Sequence, residues 1–128
     1  MNTEHNSEFL RRSSLIVPIN NEKFVAKANS RGADAIILDL EDSIVPHEKN
    51  AARILTTNAL KIVKNKSTEV LIRVNNEPRL LEDDIRASVI NGVTGIVIPK
   101  VNEPYEIKVI DYLISREENN KQLDHNSI

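Results

Sequence analysis

The chain reads as an α/β fold of four tandem βα units around a parallel sheet. Ala35 to Leu40 is almost continuously apolar and rich in isoleucine and leucine, as expected for a strand covered on both faces rather than half exposed. Between the strand-like runs, apolar residues recur at helical spacing, most clearly Ala52, Leu55, Ala59, Ile62 and Val63. Short apolar stretches also run repeatedly into charged residues: Ala35 to Leu40 into Glu41 and Asp42, Val70 to Val74 through Arg73, and Gly95 to Pro99 into Lys100.

The first unit opens with the apolar run Ser14 to Pro18 and continues into a helix over Asn20 to Arg31, with Phe24, Val25 and Ala28 on one face and Gly32 as its C-cap. The second is the strand Ala35 to Leu40 and a helix opened by Pro46, ending near Lys64 to Ser67. In the third, the strand Val70 to Val74 leads through a polar loop with Pro78 to a helix that buries Leu81, Ile85, Ser88 and Val89. Asn91-Gly92 would suit a hairpin, but the helical period before it and the single strand Gly95 to Ile98 after it favour a helix exit. The fourth helix starts near Pro104 and carries Ile107, Ile110, Leu113 and Ile114.

This divides the chain into a polar N-terminal segment (1–10), one α/β domain (11–115) and a polar, asparagine-rich tail (116–128) expected to be disordered. Four units amount to the N-terminal half of a TIM (β/α)8 barrel, which takes about 200 residues or more when complete. The 128 residues therefore suggest a small open sheet or a half that pairs with another.

Composition narrows the function. With 40% apolar and 28% charged residues and a net charge of -2, neither nucleic acid nor an anionic membrane is expected as partner. The absence of cysteine excludes disulfides, thiolate catalysis and Cys-based zinc sites, and leaves the cytoplasm as the default compartment. Neither a signal peptide nor a membrane helix is expected, because Met1 to Glu8 is polar and no apolar run approaches about 20 residues. His5, His47 and His125 have no metal-ligand spacing, and with only Gly32, Gly92 and Gly95 there is no glycine-rich phosphate loop.

Side chains at the C-terminal ends of parallel strands converge on one rim, the usual ligand-binding face of such sheets. Glu41, Asp42, Arg73 and Lys100 are placed there, which suggests anion binding beside a carboxylate cluster. On the residues alone, Arg73 is equally a structural partner of Glu41 or Asp42. Arg12 and Lys27 read as surface charges.

Ordered blocks add a resemblance: Arg11-Arg12-Ser13-Ser14-Leu15-Ile16-Val17-Pro18, Lys27-Ala28, Gly32 through Ser43 with Leu38-Asp39-Leu40-Glu41-Asp42, Lys49 with Ala52-Arg53, Ile72-Arg73-Val74-Asn75, and Ile98-Pro99-Lys100-Val101. In order and approximate spacing they resemble the N-terminal half of the HpcH/HpaI aldolase and citrate lyase superfamily, in particular its citrate lyase β-subunit-like and malyl-CoA lyase-like members. The resemblance implies a magnesium-dependent carbon–carbon lyase acting on a hydroxy-acyl thioester or related oxo acid, by retro-aldol or retro-Claisen cleavage. It gives Arg73 the substrate carboxylate, puts Glu41 and Asp42 at the catalytic centre near the metal, and puts Arg12 and Lys27 near the coenzyme A phosphates. The family's direct Mg2+ ligands lie on later strands, so Asp39, Glu41 and Asp42 are expected to reach the ion only through water. Two positions depart from the pattern: Ile19 replaces a common glycine, and Asn102 displaces an acidic residue to Glu103.

Three functions fit: a lyase completed by a C-terminal half, a module that binds a small carboxylate or coenzyme A thioester without turnover, and a structural or interaction protein. In each, open sheet edges favour self-association or a complementing chain.

Overall fold

A computed structural model describes residues 10–128. The elements are β1 (Ser14–Pro18), α1 (Glu22–Lys27, followed by a 3-10 turn Ala28–Arg31), β2 (Ala35–Asp39), α2 (Lys49–Ile54), α3 (Thr56–Val63), β3 (Glu69–Arg73), α4 (Leu81–Ser88), β4 (Gly95–Val97) and α5 (Pro104–Asn120). The four strands form one sheet in the order β1-β2-β3-β4, and all neighbours are parallel. Among the described residues the outer sides of β1 and β4 pair with no strand. Nor is any described helix long and apolar enough to cross a membrane.

Local chemistry accounts for the punctuation. The Asn21 side chain accepts the Phe24 N–H and opens α1, and Gly32 closes the following turn with φ 72, a left-handed conformation that glycine adopts without a Cβ clash. Gly92, at φ 107, ends the α4 unit, and the Lys64 ammonium donates to its carbonyl at 2.8 Å. Because β4 lies parallel to β3, Asn91-Gly92 is a helix exit, not a hairpin.

Strand β2 sits centrally, with Ile36 and Leu38 buried against Val70, Ile72, Ala59 and Val63 in the main core. A second cluster, Ile85, Val89 and Ile110, joins α4 to α5. The single helix expected after Pro46 is two: the Leu55 N–H bonds Ala52 O, and the Thr56 hydroxyl takes Arg53 O at 2.8 Å. That break shifts the apolar stripe, so Ala52, Ala59, Leu60 and Val63 are buried while Leu55 and Ile62, both expected inside, are exposed. In α5 the inward face is Ile110, Leu113 and Ile114, and Ile107 points out.

The tail expected from Arg116 is corrected as well. Helix α5 runs on to Asn120, burying Glu117 and Glu118. Glu118 Oε2 accepts the Ser127 N–H at 2.7 Å and the Ile128 N–H at 3.3 Å, while Lys121 donates to the carbonyls of Arg86 and of Val89. A polar composition misled here because buried carboxylates and ammonium groups persist when every donor and acceptor finds a partner. The polar segment expected over 1–10 lies, apart from Leu10, outside the described residues.

Candidate functional site

Strand register builds the rim. Asp39 and Arg73, the last residues of β2 and β3, stand directly opposite each other. Arg73 Nε donates to Asp39 Oδ1 at 2.7 Å and Nη2 to Oδ2 at 2.9 Å, a two-point fork. Asp39 is 0% exposed and also accepts the backbone N–H groups of Glu41 (3.0 Å) and Ser43 (2.9 Å) and the Ser43 hydroxyl. Burial alone would raise its pKa, but Arg73, Ser43 and Glu41 together outweigh it and hold the carboxyl at about 2.

Glu41 is buried beside this pair, its Oε1 3.8 Å from Arg73 Nε and its Oε2 3.2 Å from Lys100 Nζ. Burial, then the neighbouring Asp42 carboxyl, push its pKa up against the pull of Lys100. Lys100 follows β4 with φ 55, a left-handed backbone unusual for a residue with a side chain. Its ammonium also lies 3.7 Å from the exposed Asp42, and the Glu41 contact raises its pKa.

The result is a compact charged surface in which Asp39 fixes one edge of the Arg73 guanidinium. An arginine has five N–H donors. Nε and one Nη2 proton go to Asp39, and the other three donate to nothing among the described residues. The end formed by Nη1 and Nη2 thus remains a fork of the shape that takes a carboxylate.

Glu41, Asp42, Arg73 and Lys100 therefore come together as expected, but the partner of Arg73 is chiefly Asp39 rather than Glu41 or Asp42. Arg12 is elsewhere. It pairs with Asp34 (Nη2 to Oδ1 3.1 Å) just before β1 and β2, at the opposite ends of the strands, and holds that carboxyl at about 2. Lys27, in the last turn of α1, lines an apolar groove with Leu15, Ile16, Val17 and Phe24 along the free edge of β1 and touches none of the rim carboxylates. Ser43, Lys49 and Asp84 are contacts that sequence reasoning did not assign to the rim. Asp84 carried a signal: it shares the helical face of Leu81, Ile85 and Ser88, where a carboxylate needs a buried partner.

The carboxylates do not by themselves suit a divalent cation. Both Asp39 oxygens are committed to donors and Glu41 Oε2 faces Lys100, whereas Mg2+ demands near-octahedral oxygen coordination. Among the described residues no cluster of three or more histidine or acidic side chains is arranged to hold a metal.

Residues 12–128 match the family model of HpcH/HpaI aldolase/citrate lyase. The chain belongs to that family. Citrate lyase subunit beta of Leuconostoc mesenteroides subsp. cremoris is 38% identical over 111 residues, covering 86% of this chain and 37% of the relative. Human mitochondrial citramalyl-CoA lyase is 33% identical over 109 residues, 83% of this chain and 32% of the enzyme. The chain thus spans about a third of the length of the curated relatives it matches. CitE of Mycobacterium tuberculosis, solved in complex with magnesium, acetoacetate and coenzyme A, superposes with a TM-score of 0.60 at 28% identity over 79% of this chain and 38% of that one. Haloferax volcanii malate synthase has a TM-score of 0.74 at 17% identity over 97% of this chain and 39% of that one, a likeness of fold alone.

Proposed function

We propose that this chain supplies the carboxylate-recognition rim of a citrate lyase β-subunit-like carbon–carbon lyase that cleaves a hydroxy-acyl coenzyme A thioester or related oxo acid. The observation that carries the reading is the Arg73 guanidinium, locked on one side by Asp39 and free on its Nη1–Nη2 edge. A substrate carboxylate entering the rim meets a preoriented two-point donor, so little ordering is left to do on binding. Lys100 and Glu41 flank that position; Lys100 adds positive charge, and Glu41 limits which second anionic group fits.

When bound, magnesium would polarise the oxygens of the oxo acid and stabilise a developing enolate. The residues present do not provide its coordination shell, so in this reading the ligands come from the part of the family barrel these residues do not span, in the same polypeptide or as a complementing C-terminal half. Asp39, Glu41 and Asp42 then act on the ion through water at most. The coenzyme A roles of Lys27 and Arg12 rest on the family resemblance; the Arg12–Asp34 pair at the far end of the strands counts against Arg12.

A second reading is favoured by the same ion pair. Two of the five Arg73 donors already serve a fully buried carboxylate, which is what a structural pair, or a binding module without turnover, would also need. Calorimetric titration with oxaloacetate separates these possibilities when combined with a turnover assay in the presence of a chain carrying the remaining strands. Binding with stimulated cleavage supports the lyase, binding without cleavage the module, and absence of binding in both settings the structural pair.

A further inference from the structure

Behind the rim lies a polar network outside the group that faces a ligand. Lys49, the first residue of α2, donates from Nζ to Glu41 O at 2.7 Å, to Asn75 Oδ1 at 2.6 Å and to Leu40 O at 3.3 Å. An ammonium has three protons, so all are used. Asn75, 2% exposed, donates from Nδ2 to Leu40 O at 2.8 Å and to Asp84 Oδ2 at 2.7 Å. Asp84, 1% exposed, accepts Arg53 Nε on its other oxygen at 2.8 Å. Three elements, α2, the end of β3 and α4, thereby converge on the two peptide groups that follow β2.

Those peptides decide where Glu41 points. Its N–H is held in front by Asp39 Oδ1 at 3.0 Å, and its carbonyl is held behind by Lys49 and by the Ile44 N–H at 3.2 Å. With both flanking peptide planes fixed, the Cα–Cβ bond has one direction, toward Lys100 and Arg73. We propose that Lys49 is a positioning residue of the rim: by pinning the carbonyls of Leu40 and Glu41 it aims the Glu41 carboxylate at Lys100 and Arg73 and keeps it out of water. The ligand readout below rests on the carboxylate-site reading; the positioning itself does not.

The test is Lys49→Met, which keeps the apolar stem and removes the three donors, made in the full chain. The Glu41 carboxyl is followed by 13C NMR titration and the Ile44 amide by hydrogen exchange. The charges facing Glu41 are Asp39 at the end of β2, Asp42 beside it, Arg73 from β3 and Lys100 after β4, with Lys49 behind. Removing a nearby cation while the geometry holds leaves the Glu41 midpoint where it is or raises it further. Release of the carboxylate into water, in contrast, lowers the midpoint to the ordinary glutamate range, because burial is the main cause of its elevation. The proposal expects that fall, with faster exchange at Ile44 and an oxaloacetate affinity reduced about tenfold, the scale of a lost charge-assisted hydrogen bond. An unchanged or higher midpoint with a lowered melting temperature means that Lys49 only stabilises the fold, and overturns it. Should the unmodified chain not bind oxaloacetate, the site reading fails while the Glu41 titration still decides the role of Lys49. If Lys49→Met does not fold, Lys49→Gln is read by the same criteria.

Discussion

Asp39 and Arg73 end adjacent strands in exact cross-strand register, and their side chains close a two-point ion pair at 2.7 and 2.9 Å. That pair is both the anchor of the rim and its best electrostatic probe.

Stability should fall in acid because of Asp39. Its carboxyl is lowered from 3.8 to about 2 in the fold, so its stabilising contribution is complete above the unfolded value and is lost as pH drops through about 2. The shift corresponds to roughly 2 kcal/mol. Asp34 titrates over the same window at the surface, so the decisive comparison is with Asp39→Asn: urea unfolding of the variant should lose much of the slope between pH 4 and pH 2. At neutral pH the same variant takes the two-point carboxylate partner from a largely buried guanidinium, leaving only the longer Glu41 contact, and should cost on the order of 3 kcal/mol.

Arg73→Lys keeps the charge and removes the planar fork. Oxaloacetate affinity should fall about tenfold or more, and the melting temperature should fall with it because Asp39 loses its two-point partner. Loss of stability with unchanged affinity, in a system where the unmodified protein binds measurably, would remove Arg73 from ligand recognition.

Magnesium should bind the isolated chain no better than about millimolar, since the carboxylates of the rim are already committed to Arg73, Ser43 and Lys100. Isothermal titration calorimetry checks this, and micromolar affinity would mean that the coordination shell is complete within these residues.

The outer edges of β1 and β4, unpaired among the described residues, should make the protein self-associate or hold a partner, since an unpaired strand edge is a template for another. Ile16 of β1 and Phe24 of α1 leave apolar surface exposed along the β1 side, and Tyr105 and Tyr112 expose more of it on α5. Sedimentation at micromolar concentration should show species larger than a monomer; a compact monomer throughout the range would count against the idea.

Much of the architecture was legible in the order of residues. The continuous apolar run over Ala35 to Leu40, the helical stripes and the Gly32 cap are local signals, and each works within a few residues of itself. Charged residues at strand ends likewise marked the rim, because parallel strands carry their C-terminal ends to one side.

Tertiary structure decided the pairings. Whether Arg73 meets Asp39 or Glu41 depends on the β2–β3 register across 34 positions, and a slip of one residue would turn each side chain to the other face. Lys100 reaches Glu41 across 59 positions through a left-handed backbone that no local pattern announced. The placement of Arg12 against Asp34, at the opposite ends of the strands, follows from chain direction, not from the neighbouring basic residues. The buried Glu117 and Glu118 are of the same kind. Propensity and periodicity act through neighbours along the chain, whereas ion pairs and buried carboxylates are selected by what the packed sheet and helices bring within about 3 Å.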